Sequence, residues 1–245
     1  MSLARLEEHR RLWARKPVLA AVYRPWFEGL LEPLAPGAAV LEVGAGPGFL
    51  AEFARARRPD LRWVASDLLP ARWNEVAANA SSLPFASGGF SAVVGLDVLH
   101  HLAEPEAFFR EASRVLRAGG LLRLVEPWLS PFSYGIYRFL HQEHCRLAVD
   151  PWHPFAGSGK DSFEGDAAVP WKMVRATASR RWGELGFLAP RVTRLNAFAY
   201  LLSLGFRPAS LLPPWLAGPL VALDRTSGWL SPIAALRAVL SWERG

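Results

Sequence analysis

Residues 40–50 read VLEVGAGPGFL, an apolar run that passes straight into three glycines at alternate positions, Gly44, Gly46 and Gly48. Apolar residues in succession suit a buried parallel strand, and glycines immediately after them suit a tight turn. Residues 49–56 have the composition of a helix. Where a strand hands over to a helix through glycines, the turn can take positive φ. Bare backbone and the free N–H groups of the helix start are then open to a ligand. The stretch predicts a strand–turn–helix unit with something small and polar bound at the turn.

The chain has 245 residues, 51% of them apolar, which suits one substantial α/β domain with a smaller lid and excludes a disordered protein. Net charge is +6, carried by twenty-five arginines and only three lysines, Lys16, Lys160 and Lys172. These are scattered rather than gathered in a stripe, so they read as a solvated basic surface and no nucleic-acid partner is expected. A single cysteine, Cys145, excludes an intramolecular disulfide and metal sites built on paired cysteines. No signal-like apolar core follows Met1, and no run of 18 apolar residues is free of charge or proline. The expectation is a soluble cytoplasmic protein.

In chain order, residues 3–16 and 18–31 predict two helices, which form an N-terminal cover over residues 1–36. Residues 61–65 (LRWVA) predict a second strand ending at Ser66 and Asp67, twenty-three residues after Gly44. A carboxylate there can accept both hydroxyls of a ribose bound at the first turn. Residues 76–78 suit a short third strand, 90–96 (FSAVVGL) a central parallel strand ending in Asp97, and 121–125 (LLRLV) a strand closed by Glu126. Between the last two lies a helix with Phe108, Ala112, Val115 and Leu116 on its inner face, started near Pro105 and stopped by Gly119 and Gly120. Strand and helix alternate from about 38 to 127, the pattern of a parallel α/β sheet.

Four blocks in this order, VLEVGAGPGF, the acidic Asp67, SSLPF with FSAVVGLDVLHHL, and REASRVLRAGG before LLRLVEP, resemble the class I S-adenosylmethionine-dependent methyltransferases of the broad small-molecule, type 11-like group. The resemblance covers roughly 90 of the 245 residues. It implies a Rossmann-like methyltransferase fold: a doubly wound, mostly parallel seven-stranded sheet with helical lid insertions. It also implies S-adenosyl-L-methionine as cofactor, with S-adenosyl-L-homocysteine as product. By the resemblance, Glu42, Gly44, Ala45, Gly46 and Gly48 cradle the aminoacyl end and sugar, together with Asp97. Asp67 holds the ribose, Leu68 lies against the adenine, Asn79 meets the adenine amino group and Ala80 contacts the ring. Asn79 stands where the family usually has an aspartate, so its hydrogen bond is the weaker, neutral kind. A nicotinamide-binding unit is disfavoured, because its third glycine falls three residues after the second and here it falls two after.

For the transfer, the protein has to align a nucleophile with the methyl and exclude water, and a base matters only where the acceptor must lose a proton. Candidates at the sheet edge are Asp97, His100, His101 and Glu126, with His101 favoured as base. A structural histidine at a helix start is the plainer reading. Residues 128–170 read as a lid over the acceptor site. Tyr134, Arg138, His141 and His144 are its candidate substrate residues, with Arg138 suited to an anionic acceptor. If residues 136–146 are helical, His141 and His144 share one face, where metal binding is weighed and set below the lid reading; no metal is expected. Residues 157–165 (GSGKDSFEG) read as a flexible loop, and 171–185 as a helix ending at Gly186. Residues 171–245 complete the sheet, with strands near 191–196 and 235–242 and an apolar excursion at about 197–232. That excursion caps a hydrophobic acceptor, pairs subunits, rests peripherally on a membrane, or simply packs. The leading expectation is methyl transfer to O, N or C of a small, lipophilic or glycan-linked acceptor. The competing classes are a non-catalytic S-adenosylmethionine-binding protein and a nicotinamide oxidoreductase. Acceptor identity and oligomeric state are not legible.

Overall fold

The strand expected at the glycine turn is the middle of a seven-stranded sheet. In the computed structural model, which describes residues 2–140, 143–155 and 164–245, β1 (Ala39–Val43) is buried at every position. The others are β2 (Arg62–Asp67), β3 (Val76–Ala77), β4 (Phe90–Leu96), β5 (Leu116–Pro127), β6 (Arg191–Leu195) and β7 (Arg237–Glu243). Their order is β3-β2-β1-β4-β5-β7-β6. β1 pairs in parallel with both β2 and β4. β7 alone runs antiparallel, wedged between β5 and β6. The chain therefore winds outward twice from the β1/β4 boundary, and the crevice beyond the carboxyl ends of these strands is where an open α/β sheet takes its ligand.

Helices cover both faces. On one lie α1 (Leu3–Arg15), α2 (Val18–Leu31) and α3 (Phe49–Arg57), and on the other α4 (Pro105–Val115). α4 opens on Pro105 and buries Phe108, Phe109, Ala112 and Val115, the spacing read from sequence. Phe109 sets its ring 5.1 Å from both Trp182 and Trp242, tying α4 to the sheet. α5 (Pro131–Phe139) follows β5, and then α6 (Val169–Ala176) and α7 (Ser179–Glu184) lead to β6. α8 (Phe198–Ser203), α9 (Pro214–Thr226) and α10 (Ser231–Ala234) fill the apolar excursion before β7.

Three local expectations differ. The helix read to Leu116 ends at Val115, and residues 116–120 belong to β5, whose pairing with β4 shifts register between Phe90 and Ala92. Gly119 there donates its N–H to the Arg244 carbonyl at 3.0 Å, a partner far along the chain from the helix that local periodicity cannot reveal. The helix read at 171–185 is two helices, interrupted at Thr177 and Ala178. The helix read at 136–146 stops at Phe139. Most of the loop read at 157–165 lies outside the described residues.

The excursion packs α8 and α9 on α2. No helix among the described residues is long and apolar enough to cross a membrane. Its α8–α9 connection is held by Lys16, a nearly buried side chain between α1 and α2. The Lys16 ammonium donates to the carbonyls of Ser203, Gly205, Arg207 and Ala209 at 2.5–2.9 Å. One cation thus gathers four carbonyls that would otherwise have to find separate donors. Removing it should be felt: Lys16→Met is expected to cost about 2–3 kcal/mol. That lowers the thermal midpoint by roughly 5–10 °C in a chain of this size, measurable by differential scanning calorimetry.

Candidate functional site

The turn after β1 is shaped by its neighbours. An ideal Cβ on Gly44, whose φ is +63°, would stand 2.4 Å from Val98 Cγ2. A side chain is therefore excluded on both backbone and steric grounds. Gly48, at φ +79°, faces Trp73 instead, with its ideal Cβ 2.7 Å from Trp73 Cδ1. Asp67, buried at the end of β2, clasps this turn: Oδ2 accepts the Gly46 N–H at 2.8 Å and Oδ1 accepts the Leu69 N–H at 2.9 Å. Glu42 is buried under the turn and accepts from Trp63 Nε1 at 2.9 Å. Burial pushes its carboxyl up to about 8, against a smaller opposing effect of that hydrogen bond.

A cavity of about 520 Å³ opens above these groups. Glu42, Gly44, Ala45, Gly46, Asp67, Leu68, Asn79, Ala80 and Asp97 all line it, nine of the ten residues expected for the cofactor. Gly48 does not, because its open side is taken by Trp73. α1 contributes Arg5, Leu6 and His9 to the wall.

The inner end is an aromatic chamber lined by Tyr23, Phe27, Tyr137, Tyr200 and Phe206. At its floor Asp97, in the left-handed region at φ +57°, forms an ion pair with Arg237 of β7. Arg237 is buried, and its guanidinium lies 4.7 Å from the Trp26 ring centroid and 5.0 Å from that of Tyr200. Burial opposes its charge, but Asp97 and the surrounding tyrosines outweigh that and hold it firmly cationic. Of these residues Asp97 was expected at the cofactor, and the others were not assigned to the site. The one signal was Arg237 itself, a lone charge entering an apolar strand.

The lid expectations need correction. α5 turns Tyr137 into the cavity, with its hydroxyl donating to the Leu236 carbonyl at 2.5 Å. Tyr134 and Arg138 of the same helix do not line the cavity: Tyr134 packs partly buried against the core, and Arg138 is exposed to solvent. His144 lies beyond the helix end at Phe139, 59% exposed and 3.6 Å from Glu164, so it stands on no helical face. His141 lies outside the described residues.

Among the expected catalytic residues, Glu126 is fully buried and outside the cavity. Its Oε1 accepts the N–H groups of Val98 and Leu99 at 2.9 and 2.8 Å, and its Oε2 lies 2.6 Å from His100 Nδ1. Glu126 therefore positions His100 and reaches no ligand. His100 and His101 do reach the cavity, facing Glu143 at 3.3 and 3.7 Å. Glu143 arrives through a parallel bridge between His144 and Asp166, a long-range contact no local pattern announces. Burial alone would lower His100, but Glu143 and Glu126 overcome it and raise the ring to about 10. His101 is held down at about 4 by burial and the adjacent His100, which makes it a weaker base than expected.

Residues 41–124 match the family model described as a methyltransferase domain. That stretch of the chain is a methyltransferase domain. A Mycobacterium sp. (strain JLS) protein described as an uncharacterized methyltransferase is 37% identical over 124 residues, 46% of this chain and 49% of the relative. A probable S-adenosylmethionine-dependent methyltransferase of Mycobacterium tuberculosis is 30% identical over 186 residues, 62% of this chain and 65% of the relative. The chain thus spans about half the length of the first of these curated relatives and under two thirds of the second. The fold is shared with Burkholderia thailandensis 1,6-didemethyltoxoflavin-N1-methyltransferase, solved with its acceptor and S-adenosylhomocysteine. That structure has TM-score 0.55 and 16% identity, covering 99% of this chain and 84% of that one. The family match spans the turn, Asp67 and His100–His101 of the methyltransferase domain. It stops short of Tyr137, Glu143 and Arg237, so most of the chamber lies outside the matched residues.

The buried Glu42 makes a checkable demand on the ligand-free domain. Its folded-state pKa of about 8 lies above the ordinary 4.5, so between those values the folded chain holds a proton the unfolded chain has lost. Stability from this group is complete below about 4.5 and is lost as pH rises through 8. Glu42→Gln removes that loss. Urea denaturation of ligand-free protein should show the variant gaining on the parent between pH 5 and 8.5, roughly 1 kcal/mol or more at the upper end.

Proposed function

We propose that the chain transfers the methyl group of S-adenosylmethionine to a small, neutral, lipophilic acceptor held in the aromatic chamber. The observation that carries this reading is continuity: one cavity runs from the glycine turn and Asp67 to Tyr23, Phe27, Tyr200 and Phe206. The residues fit the cofactor. Both Asp67 oxygens take backbone N–H groups, and each keeps a lone pair for a ribose hydroxyl. The buried carboxyl of Glu42 is short of positive charge, which the ammonium of a methionine moiety provides. Leu68, 55% exposed, offers an apolar face to the adenine, with Asn79 and Ala80 at its edge.

When bound, S-adenosylmethionine supplies an activated methyl on sulfur. The chain's part is to orient the acceptor and keep water out, which is worth several kcal/mol of the barrier. Tyr23, Tyr200 and Phe206 enclose the acceptor. Arg237 is already balanced by Asp97, so the chamber gives no net charge to an anion, and a neutral acceptor is favoured over the anionic one once assigned to Arg138.

Thermal denaturation tests the cofactor. At a hundred times the dissociation constant, S-adenosylmethionine and S-adenosylhomocysteine should each add about 2.7 kcal/mol, a midpoint rise of roughly 5–10 °C, and NAD should add nothing. A shift with NAD alone would sink the reading. Asp67→Asn, which preserves shape but loses the charge, should abolish most of the rise.

Release of S-adenosylhomocysteine over a panel of lipophilic acceptors tests the transfer. Tyr200→Leu should lower turnover about tenfold while leaving the S-adenosylhomocysteine shift in place.

A further inference from the structure

We propose that His100, His101 and Glu143 form a binding site for a divalent cation of the zinc class, with an open coordination position facing the cavity. Their ligand atoms lie within 4.8 Å of one another. Glu143 stands 3.3 Å from His100 Nε2 and 3.7 Å from His101 Nε2. Charge-assisted hydrogen bonds between such groups close to about 2.7–2.9 Å. Metal–ligand bonds of about 2.0–2.1 Å arranged as a tetrahedron put neighbouring ligand atoms about 3.3–3.4 Å apart. The His100–Glu143 spacing matches the second geometry, and the His101–Glu143 spacing is a few tenths of an ångström wider.

The ring orientations are set from behind. Glu126 takes two backbone N–H groups and lies 2.6 Å from His100 Nδ1, which fixes that edge of the ring and turns Nε2 toward Glu143. With no metal bound, a proton on Nε2 joins the ring to the Glu143 carboxylate, and a metal ion would take that proton's place. A buried carboxylate behind a ligating imidazole is the arrangement that raises ligand basicity and fixes the tautomer in histidine metal sites. Gly165 presses on the other side: an ideal Cβ there would stand 2.8 Å from His101 Cε1 and 2.9 Å from His100 Cδ2. The rings therefore cannot swing away without moving the chain at Asp166, whose N–H donates to the His100 carbonyl.

A second grouping among the described residues, Asp97 with His100 and Glu126, is already consumed. Asp97 pairs with Arg237, and Glu126 is engaged by backbone. His101 and Glu143 remain about a fifth to a quarter exposed at the cavity wall, so an ion can enter and a ligand oxygen can complete its shell. Three protein ligands with one open position is the composition of a catalytic rather than a structural zinc site. Its use in binding an acceptor oxygen rests on the methyltransferase reading; binding of the ion does not.

The test is direct titration of chelator-treated protein with Zn²⁺ against a chromophoric chelator, and with Co²⁺ by visible absorption. One equivalent of Zn²⁺ should bind at micromolar dissociation constant or tighter, and Co²⁺ should give the intense bands of four-coordination. Glu143→Gln and His101→Ala should each weaken binding at least about tenfold, and Glu126→Gln about ten- to a hundredfold. His153→Ala, a surface histidine, should leave binding unchanged. Absence of stoichiometric binding would mean that the cation between His100 and Glu143 is only a proton, and would overturn the proposal. Undiminished binding in Glu143→Gln, a wall residue whose replacement keeps the shape, would overturn it too, as would loss of binding in His153→Ala. The S-adenosylhomocysteine thermal shift should persist in every variant, which separates failure of the metal site from failure of the cofactor reading.

Discussion

Val98 can turn in behind the end of β1 only because Gly44 has no side chain, since a Cβ there would overlap Val98 Cγ2 at 2.4 Å. That close approach lets β1 and β4 pair in parallel while their following segments leave in opposite directions, one to α3 and the other to His100 and α4. The crevice between the two departures is the cavity. Everything the site does depends on this packing, because the glycine turn, Asp67, Asp97 and both histidines are arrayed around it.

Around that crevice an otherwise apolar core accepts several charges, each matched to partners. Arg237 has Asp97 and two aromatic faces. Lys16 has four carbonyls, Glu126 has two N–H groups and an imidazole, and Asp166 holds Arg146. Such groups cost several kcal/mol each to bury and add little net stability once paired. What they secure here is position. Lys16 shapes the chain that carries Phe206, Glu126 orients His100, and Arg237 pins β7 beneath the chamber. Glu42 is the group left with only a neutral donor, and it lies where a cationic ligand would rest.

The glycine-turn end of the cavity was legible and its aromatic end was not, for a physical reason that particular residues show. Gly44, Asp67 and Asn79 sit at strand ends whose apolar runs are short, periodic and punctuated, so local pattern places them. Tyr137 and Arg138 differ by one position on α5, and only the packing of that helix decides that Tyr137 faces inward. His144 was grouped with His141 by helical spacing, yet the helix ends at Phe139 and His144 joins Asp166 instead. Glu143 reaches the histidines through that same bridge, across more than forty residues of chain.

The sequence by itself determined the alternation of strand and helix, the glycine turn with its acidic partner, and with them the family and its cofactor. These are local properties: hydrophobic period, backbone freedom at glycine, and a carboxylate at a strand end. Only the tertiary structure decided what surrounds the acceptor, because Tyr23, Glu143, Phe206 and Arg237 come from four separate parts of the chain. Their meeting is governed by side-chain packing and by buried charges finding partners, and neither leaves a periodic trace in the sequence.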